Sequence, residues 1–120
     1  RTVMKEPATI RAVEFLVYAL RPGSGEEFHR IMHEISVPLH RRCGLDVVAY
    51  GQSLHDPDAY HLIRAAGDFE SMEAAFADFY GSEAWRLGPR EAIIARIATS
   101  LRTVVSMDAE AVESLRRQGE

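Results

Sequence analysis

Tyr60, His61, Leu62, Ile63 and Arg64 follow one another in a run whose apolar members suit a β-strand. Strand alternation sends Tyr60, Leu62 and Arg64 to one face and His61, Ile63 and Ala65 to the other. A guanidinium buried in a sheet is costly without an anionic partner, so Arg64 has two explanations. Either it holds an anionic substrate or a developing oxyanion together with the Tyr60 hydroxyl, or it closes an internal ion pair with Glu14 or Glu91. Arginines in folded proteins more often pair with carboxylates already present, which favours the ion pair.

Histidines supply the proton chemistry. His29, His33 and His40 are spaced by four and seven residues, and at about 100° per residue this places them on one flank of a helix. A His-x-x-x-His pair suits zinc, yet no third-ligand motif accompanies it and Pro38 disturbs the geometry before His40, so no metal is assigned. Acid–base catalysis needs only one imidazole beside a pocket, because its ordinary pKa lies near neutrality. His29, which borders the apolar face of its helix, and His61, in mid-strand, are the candidates.

A third concentration is the stretch from Phe79 to Ile93, which holds Tyr80, Trp85, Arg86 and Arg90 between two helix breaks, Gly81 and Gly88-Pro89. Apolar walls with a few polar groups make the usual small-molecule site. Tyr80, Trp85 and Arg86, with Tyr18 from the first strand, are the candidate substrate contacts; the competing role for the aromatics is to close the end of the core. A nucleophilic triad is unsupported, since Ser24, Ser53 and Ser82 stand in capping or turn contexts. Gly-rich phosphate loops and dinucleotide fingerprints are missing.

These side chains need elements to position them. Alternation predicts a strand over 11–20, and the turn Arg21-Pro22-Gly23-Ser24-Gly25 leads into a helix capped by Ser24. That helix buries Phe28, Ile31, Met32, Ile35 and Leu39, kinks at Pro38 and ends at Gly44. A second strand over 46–54, with Val48, Tyr50 and Gln52 on one face, makes an antiparallel hairpin with a third over 59–66. Asp68 caps a helix that buries Phe69, Met72, Phe76 and Phe79. Ser82 caps a short piece bearing Trp85, and Pro89 begins another helix that buries Ile93, Ile94 and Ile97. A fourth strand over 100–107 and a tail helix capped by Asp108, holding Val112 and Leu115, complete the chain. Residues 1–9 read as a flexible leader.

The order strand, helix, strand, strand, helix, strand is that of the ferredoxin-like α+β fold, with a four-stranded antiparallel sheet. Helices on one face of such a sheet leave the other open, and strands this apolar on both sides expose too large a patch for a monomer. A homodimer with its sheets packed face to face, a dimeric α/β barrel, is the expected remedy.

The 120 residues suit one domain, and 47% hydrophobic with 27% charged residues is an ordinary globular composition. The net charge of −4 comes from scattered residues with no basic run, which argues against a nucleic-acid partner. No run approaches a membrane span or a signal peptide. The single cysteine, Cys43, forms no internal disulfide, fits a reducing compartment, and points to the cytoplasm.

Tyr18-Ala19-Leu20-Arg21-Pro22-Gly23, Val37-Pro38-Leu39-His40, Cys43 through Gly51, Tyr60 through Ala65, and the Phe79–Ile93 stretch resemble the bacterial type of the NIPSNAP family, within the dimeric α/β-barrel superfamily, over about residues 12–107. Where the family pattern has a second aromatic beside Tyr60, this chain has His61. The resemblance implies architecture more than activity, because the superfamily includes cofactor-free monooxygenases, isomerases, cyclases, haem enzymes and binding proteins. The resulting expectation is a homodimeric small-molecule-binding protein without an organic cofactor. Its chemistry is proton transfer (isomerisation or cyclisation) or cofactor-free oxygenation on an aromatic or carbonyl metabolite. His29 or His61 moves protons, and Tyr60 and Arg64 steady negative charge. The alternative is a non-catalytic binding or homodimeric assembly module.

Overall fold

The computed structural model describes residues 9–118, so the expected leader lies, but for Thr9, outside the described residues, as do Gly119 and Glu120. Four strands, β1 (Ile10–Leu20), β2 (Asp46–Gln52), β3 (Ala59–Ala66) and β4 (Ile97–Asp108), form one sheet in the order β2-β3-β1-β4. Each neighbouring pair is antiparallel. With helices crossing between β1 and β2 and between β3 and β4, this is the ferredoxin-like α+β arrangement.

β1 is central, and its alternation serves both faces: Ala12, Leu16 and Leu20 are buried toward the helices and Val13 toward the opposite side. β2 departs from the expected alternation. Its register shifts between Val47 and Ala49, so Val47 joins the helix-side core while Val48 and Ala49 both join the other. Such a bulge sets two residues against one, and beyond it Tyr50 packs on the helix side while Val48 does not.

The first crossover is one continuous helix in three parts, α1 (Gly25–Ile31), a π turn over Met32–Ser36, and α2 (Val37–Arg42). Pro38 offers no N–H to the carbonyl four residues back, and its ring crowds that carbonyl. The chain absorbs this by widening the turn just before it, where the Val37 N–H reaches the Met32 carbonyl. A widened turn acts as one inserted residue and rotates the downstream helix by about 100°. His40 thereby leaves the flank that His29 and His33 share and turns into the core, 1% exposed. Gly44 ends the helix at φ +83°, the left-handed conformation a C-terminal glycine adopts readily.

The start of α1 is held from elsewhere. Ser24 stands at the N-cap without a side-chain cap bond, and Asp58 of the β2–β3 turn accepts from the Gly23 N–H at 2.9 Å and the Gly25 N–H at 2.8 Å. Only glycine permits that approach, because a Cβ on residue 25 would lie 1.8 Å from the Pro57 carbonyl oxygen.

α3 (Phe69–Gly81) is capped by Asp68, which accepts the Ser71 N–H at 2.7 Å, and it buries Met72, Phe76 and Phe79. Phe69, expected in that stripe, is 53% exposed, since the first turn of α3 overhangs the uncovered edge strand β4. Two short pieces follow, α4 (Glu83–Arg86) and α5 (Arg90–Ile94); Pro89 is the N-cap residue of α5, one position before its first turn. Of the three isoleucines expected inside, only Ile93 is buried; Ile94 is exposed and Ile97 opens β4.

The face opposite these helices is not wholly open. α6 (Ala109–Gln118) folds back over it, and Val112 is fully buried against Val13, Val48, Ala49, Ile63 and Ala65. Arg116 fastens it with bonds of 2.8 and 3.0 Å to Asp46. What stays uncovered is the far end of that face, where Val17 is 46% and Leu101 74% exposed.

Candidate functional site

The register of β1 against β3 sets Glu14 directly opposite Arg64, and both point to the helix side. Both are buried, Arg64 only 2% exposed. Arg64 Nε donates to Glu14 Oε1 at 2.7 Å, and Glu14 Oε2 accepts from Arg102 Nε of β4 at 2.6 Å. Arg102 Nη2 donates to Glu73 of α3, also at 2.6 Å. Glu14 therefore sits between two guanidinium groups, the compensation a buried carboxylate requires. Of the two carboxylates weighed for Arg64, it is Glu14 that pairs; Glu91 is bonded to Arg90.

The remaining contacts of Arg64 come from the helices. Nη1 donates to the Tyr80 hydroxyl at 2.6 Å and faces His40 Nε2 at 3.0 Å. His40 Nδ1 lies 2.7 Å from the Ser36 carbonyl, which can only accept, so Nδ1 carries the proton and Nε2 accepts from Arg64. Burial, reinforced by Arg64, pushes the His40 pKa down to about 4 against the opposing pull of the Ser36 carbonyl. Neutral His40 thus serves as a fixed acceptor. Burial works against the charge on Arg64, but Tyr80 and Glu14 outweigh it and its pKa is raised. The Phe76 ring lies beneath the guanidinium, 3.9 Å from Cζ to the ring centroid.

One terminal nitrogen on each arginine is left over. Arg64 Nη2 and Arg102 Nη1 bond to no described residue. No buried side-chain nitrogen or oxygen among the described residues lacks a partner, so Arg64 Nη2 reaches the surface. It does so in a cleft of about 370 Å³ between the sheet and α3, lined by Glu14, Arg64, Glu73, Phe76, Tyr80 and Arg102. The cleft combines unspent N–H donors, a phenol and an aromatic wall, a set suited to an oxyanion on a flat or apolar body.

No protein-family model matches the chain, and no curated protein matches it in sequence. Solved structures do match in shape. A NIPSNAP-like domain protein from Burkholderia xenovorans superposes with a TM-score of 0.72 at 18% identity, covering 79% of this chain and 83% of that one. A NIPSNAP family protein from Agrobacterium tumefaciens gives 0.75 at 12% identity over 89% and 93%. The chain has the NIPSNAP fold. A candidate antibiotic biosynthesis monooxygenase from Bacteroides thetaiotaomicron is more distant, at a TM-score of 0.55 and 17% identity over 82% and 87%.

On this NIPSNAP fold the other residues singled out in the sequence fall in separate places. Tyr60 points to the helix side, but its hydroxyl lies 2.7 Å from His29 Nδ1, away from Arg64. Four residues of strand put about 13 Å between the two positions. His33 Nδ1 lies 2.6 Å from the Tyr50 hydroxyl, and His29 and His33 stack with ring centroids 5.9 Å apart. Burial, then Tyr50, raises the Tyr60 pKa; burial, then His33, lowers that of His29. Among the described residues, no group of three or more histidine, cysteine or acidic side chains is placed to hold a metal ion. His61 faces the opposite side of the sheet, beside an apolar hollow of about 550 Å³ that Val17 and Leu54 also line.

Tyr18 packs edge-on against Phe28, and burial followed by Tyr80 raises its pKa. Trp85 is buried against Phe79 and Tyr80 and so braces Tyr80 from behind without lining the cleft. Arg86 is exposed and turned to the Gly81 carbonyl. Of the residues proposed from sequence, then, Arg64 and Tyr80 come together. His40 and Arg102, which complete their setting, were not legible as such: the π turn rotates His40 inward, and the β1–β4 register brings Arg102 diagonal to Glu14.

Proposed function

We propose that this NIPSNAP-fold protein binds a small organic anion, a carboxylate or an enolisable carbonyl compound, in the Arg64–Tyr80–Arg102 cleft, and that it promotes proton-transfer chemistry there by steadying negative charge on oxygen. The reading is carried by one observation, the buried Arg64 guanidinium with Nη2 opening beside the Tyr80 hydroxyl. Tyr80 already accepts from Arg64, so its own O–H is free to donate to a ligand oxygen, and both residues line the same cleft. Donors preset for a developing oxyanion lower a barrier because they need not reorganise as charge appears. Isomerisation or cyclisation through an enolate uses that arrangement, and so does cofactor-free oxygenation of an enolate. His29 and His61 lie away from the cleft, so the proton leaving carbon passes to solvent water at the cleft mouth while Arg64 and Tyr80 hold the enolate oxygen.

Phenylpyruvate is a suitable probe, with binding followed by calorimetry and exchange of its α-protons in D2O followed by NMR. Binding with catalysed exchange that Tyr80→Phe reduces at least tenfold supports the proposal. Binding without exchange makes the protein a non-catalytic binding module, and absence of binding overturns the cleft as a site.

Assembly is a separate question. Val17 and Leu101, large and exposed on the part of the sheet that α6 leaves bare, favour a homodimer packed through that end. Sedimentation of the wild type as a dimer and of Leu101→Arg as a monomer is the expected result; a monomeric wild type overturns it. A single unpaired cysteine supports a reducing, cytoplasmic setting, and no helix among the described residues is long and apolar enough to cross a membrane.

A further inference from the structure

Away from the Arg64 cleft, the first crossover helix carries a second concentration of nitrogen ligands. His29 of α1 and His33 of the π turn stand about one turn apart, their rings nearly parallel at 27°, with centroids 5.9 Å apart. A tyrosine of the β2–β3 hairpin holds each ring from one side: His29 Nδ1 lies 2.7 Å from the Tyr60 hydroxyl and His33 Nδ1 2.6 Å from the Tyr50 hydroxyl. Neither Nε2 bonds to any described residue. Two imidazoles four residues apart on one helix, each with Nδ1 engaged and Nε2 open, match the way proteins present histidine to a transition-metal ion. An outer partner on the other ring nitrogen fixes the tautomer and aims the ring.

We propose that His29 and His33 form a site for a divalent first-row transition ion such as zinc, bound through both Nε2 atoms with Tyr60 and Tyr50 as outer partners. The site is separate from the cleft and does not depend on its reading. The π turn sends His40 into the core, and no group of three metal-ligating side chains occurs among the described residues. The chelate is therefore two-handed, with water in the remaining positions. Nitrogen donors with no carboxylate bonded to either ring suit zinc or copper and not calcium or magnesium, whose ligands are oxygens.

An ion about 2.1 Å from each Nε2 at a tetrahedral angle sets the ring centroids about 5 Å apart, so the rings close by about 1 Å on binding. His33 supplies that movement, being exposed and tied among the described residues by its Tyr50 bond alone. The ion takes the lone pair of a neutral ring at Nε2, which leaves the ring proton on Nδ1, and the tyrosine oxygen accepts from it. The two phenols thus separate this pair from a chance pair of surface histidines.

Calorimetry with zinc chloride on the tag-free chain tests the inference, in a Cys43→Ser background that removes the exposed thiol as a competing ligand. One ion per chain is the expected stoichiometry. His33→Ala, at an exposed position, should fold and lose binding, whereas His55→Ala, at another exposed histidine, should leave it unchanged. Tyr50→Phe keeps both ligands but removes an outer partner, and it should weaken binding at least tenfold. With copper chloride, the electron paramagnetic resonance spectrum should show coupling to two imidazole nitrogens in the wild-type site and to one in His33→Ala. Absence of zinc binding overturns the inference, as does binding that survives His33→Ala. Binding lost in His33→Ala but as tight in Tyr50→Phe as in the parent makes the pair an incidental surface chelate, and the built site falls.

Discussion

The helix running from Gly25 to Arg42 carries histidines on both sides of its π turn, and the two sides meet tyrosines and the sheet on different terms. Before the turn, His29 and His33 lie against Tyr60 and Tyr50 at the partly exposed edge formed by β2 and β3. After it, His40 is buried against Arg64, Ser36 and Phe79. Residue types are shared; solvent is not. In the buried cluster Glu14, His40 and two nitrogens of Arg64 are committed to one another or to Ser36, Tyr80 and Arg102, so the protonation state of His40 is dictated by its partners. At the edge, His29 is half-buried and His33 exposed, so water can partner their rings, and only Tyr60 is closed off. Spare donors on Arg64, Arg102 and Tyr80, held by an otherwise committed network, are what make the buried cluster a candidate site.

The largest effect should come from opening that network. Glu14→Gln leaves the buried Arg64 without its counter-charge, and removing one member of a buried pair costs about 3–5 kcal/mol, read as a lower urea midpoint. A double variant, Glu14→Leu with Arg64→Met, should recover most of the loss. If the single variant is no worse than an edge variant, the two regions do not differ as described.

Acid should separate them next. The folded-state pKa of His40 is depressed from 6.5 to about 4, so the unfolded chain binds more protons in that interval. The stability this contributes is complete above pH 6.5 and is lost as pH falls through 4, on the order of a few kcal/mol at 1.36 kcal/mol per unit. NMR titration should find His40 neutral down to about pH 4, with its proton on Nδ1. His29, held below its ordinary value by burial and then by His33, should titrate above His40.

Smaller still, Tyr60→Phe deletes the hydroxyl paired with His29 and should cost about 1 kcal/mol by thermal or urea unfolding. His33→Phe, at the outermost position, should change stability by no more than about 0.5 kcal/mol. A loss in either variant approaching that of Glu14→Gln would erase the contrast.

Strands, hairpin, caps and the helix-side aromatics were legible because period and punctuation are local properties. Alternation placed Glu14 and Arg64 on consistent faces, and a lone carboxylate amid Val13, Phe15 and Leu16 marked itself as needing a partner. What escaped were events that change phase or join distant segments. Pro38 announced a disturbance, but whether it would bend the helix or widen it depends on packing, and only widening moves His40 by a quarter turn. The bulge at Val48 had no flag of its own. Tyr60 and Arg64 were grouped by face, although the strand rise by itself separates them. Ser24 had the right type for a cap; Asp58, far along the chain, had the better position.

That last contact couples elements in time as well as space. Asp58 and Gly25 clasp the β2–β3 turn to the first turn of α1, so the amides of Gly23 and Gly25 can exchange with solvent only when the hairpin lifts. The opening of the hairpin tip and the fraying of the helix start become one event, and hydrogen exchange at both places should share a single free energy.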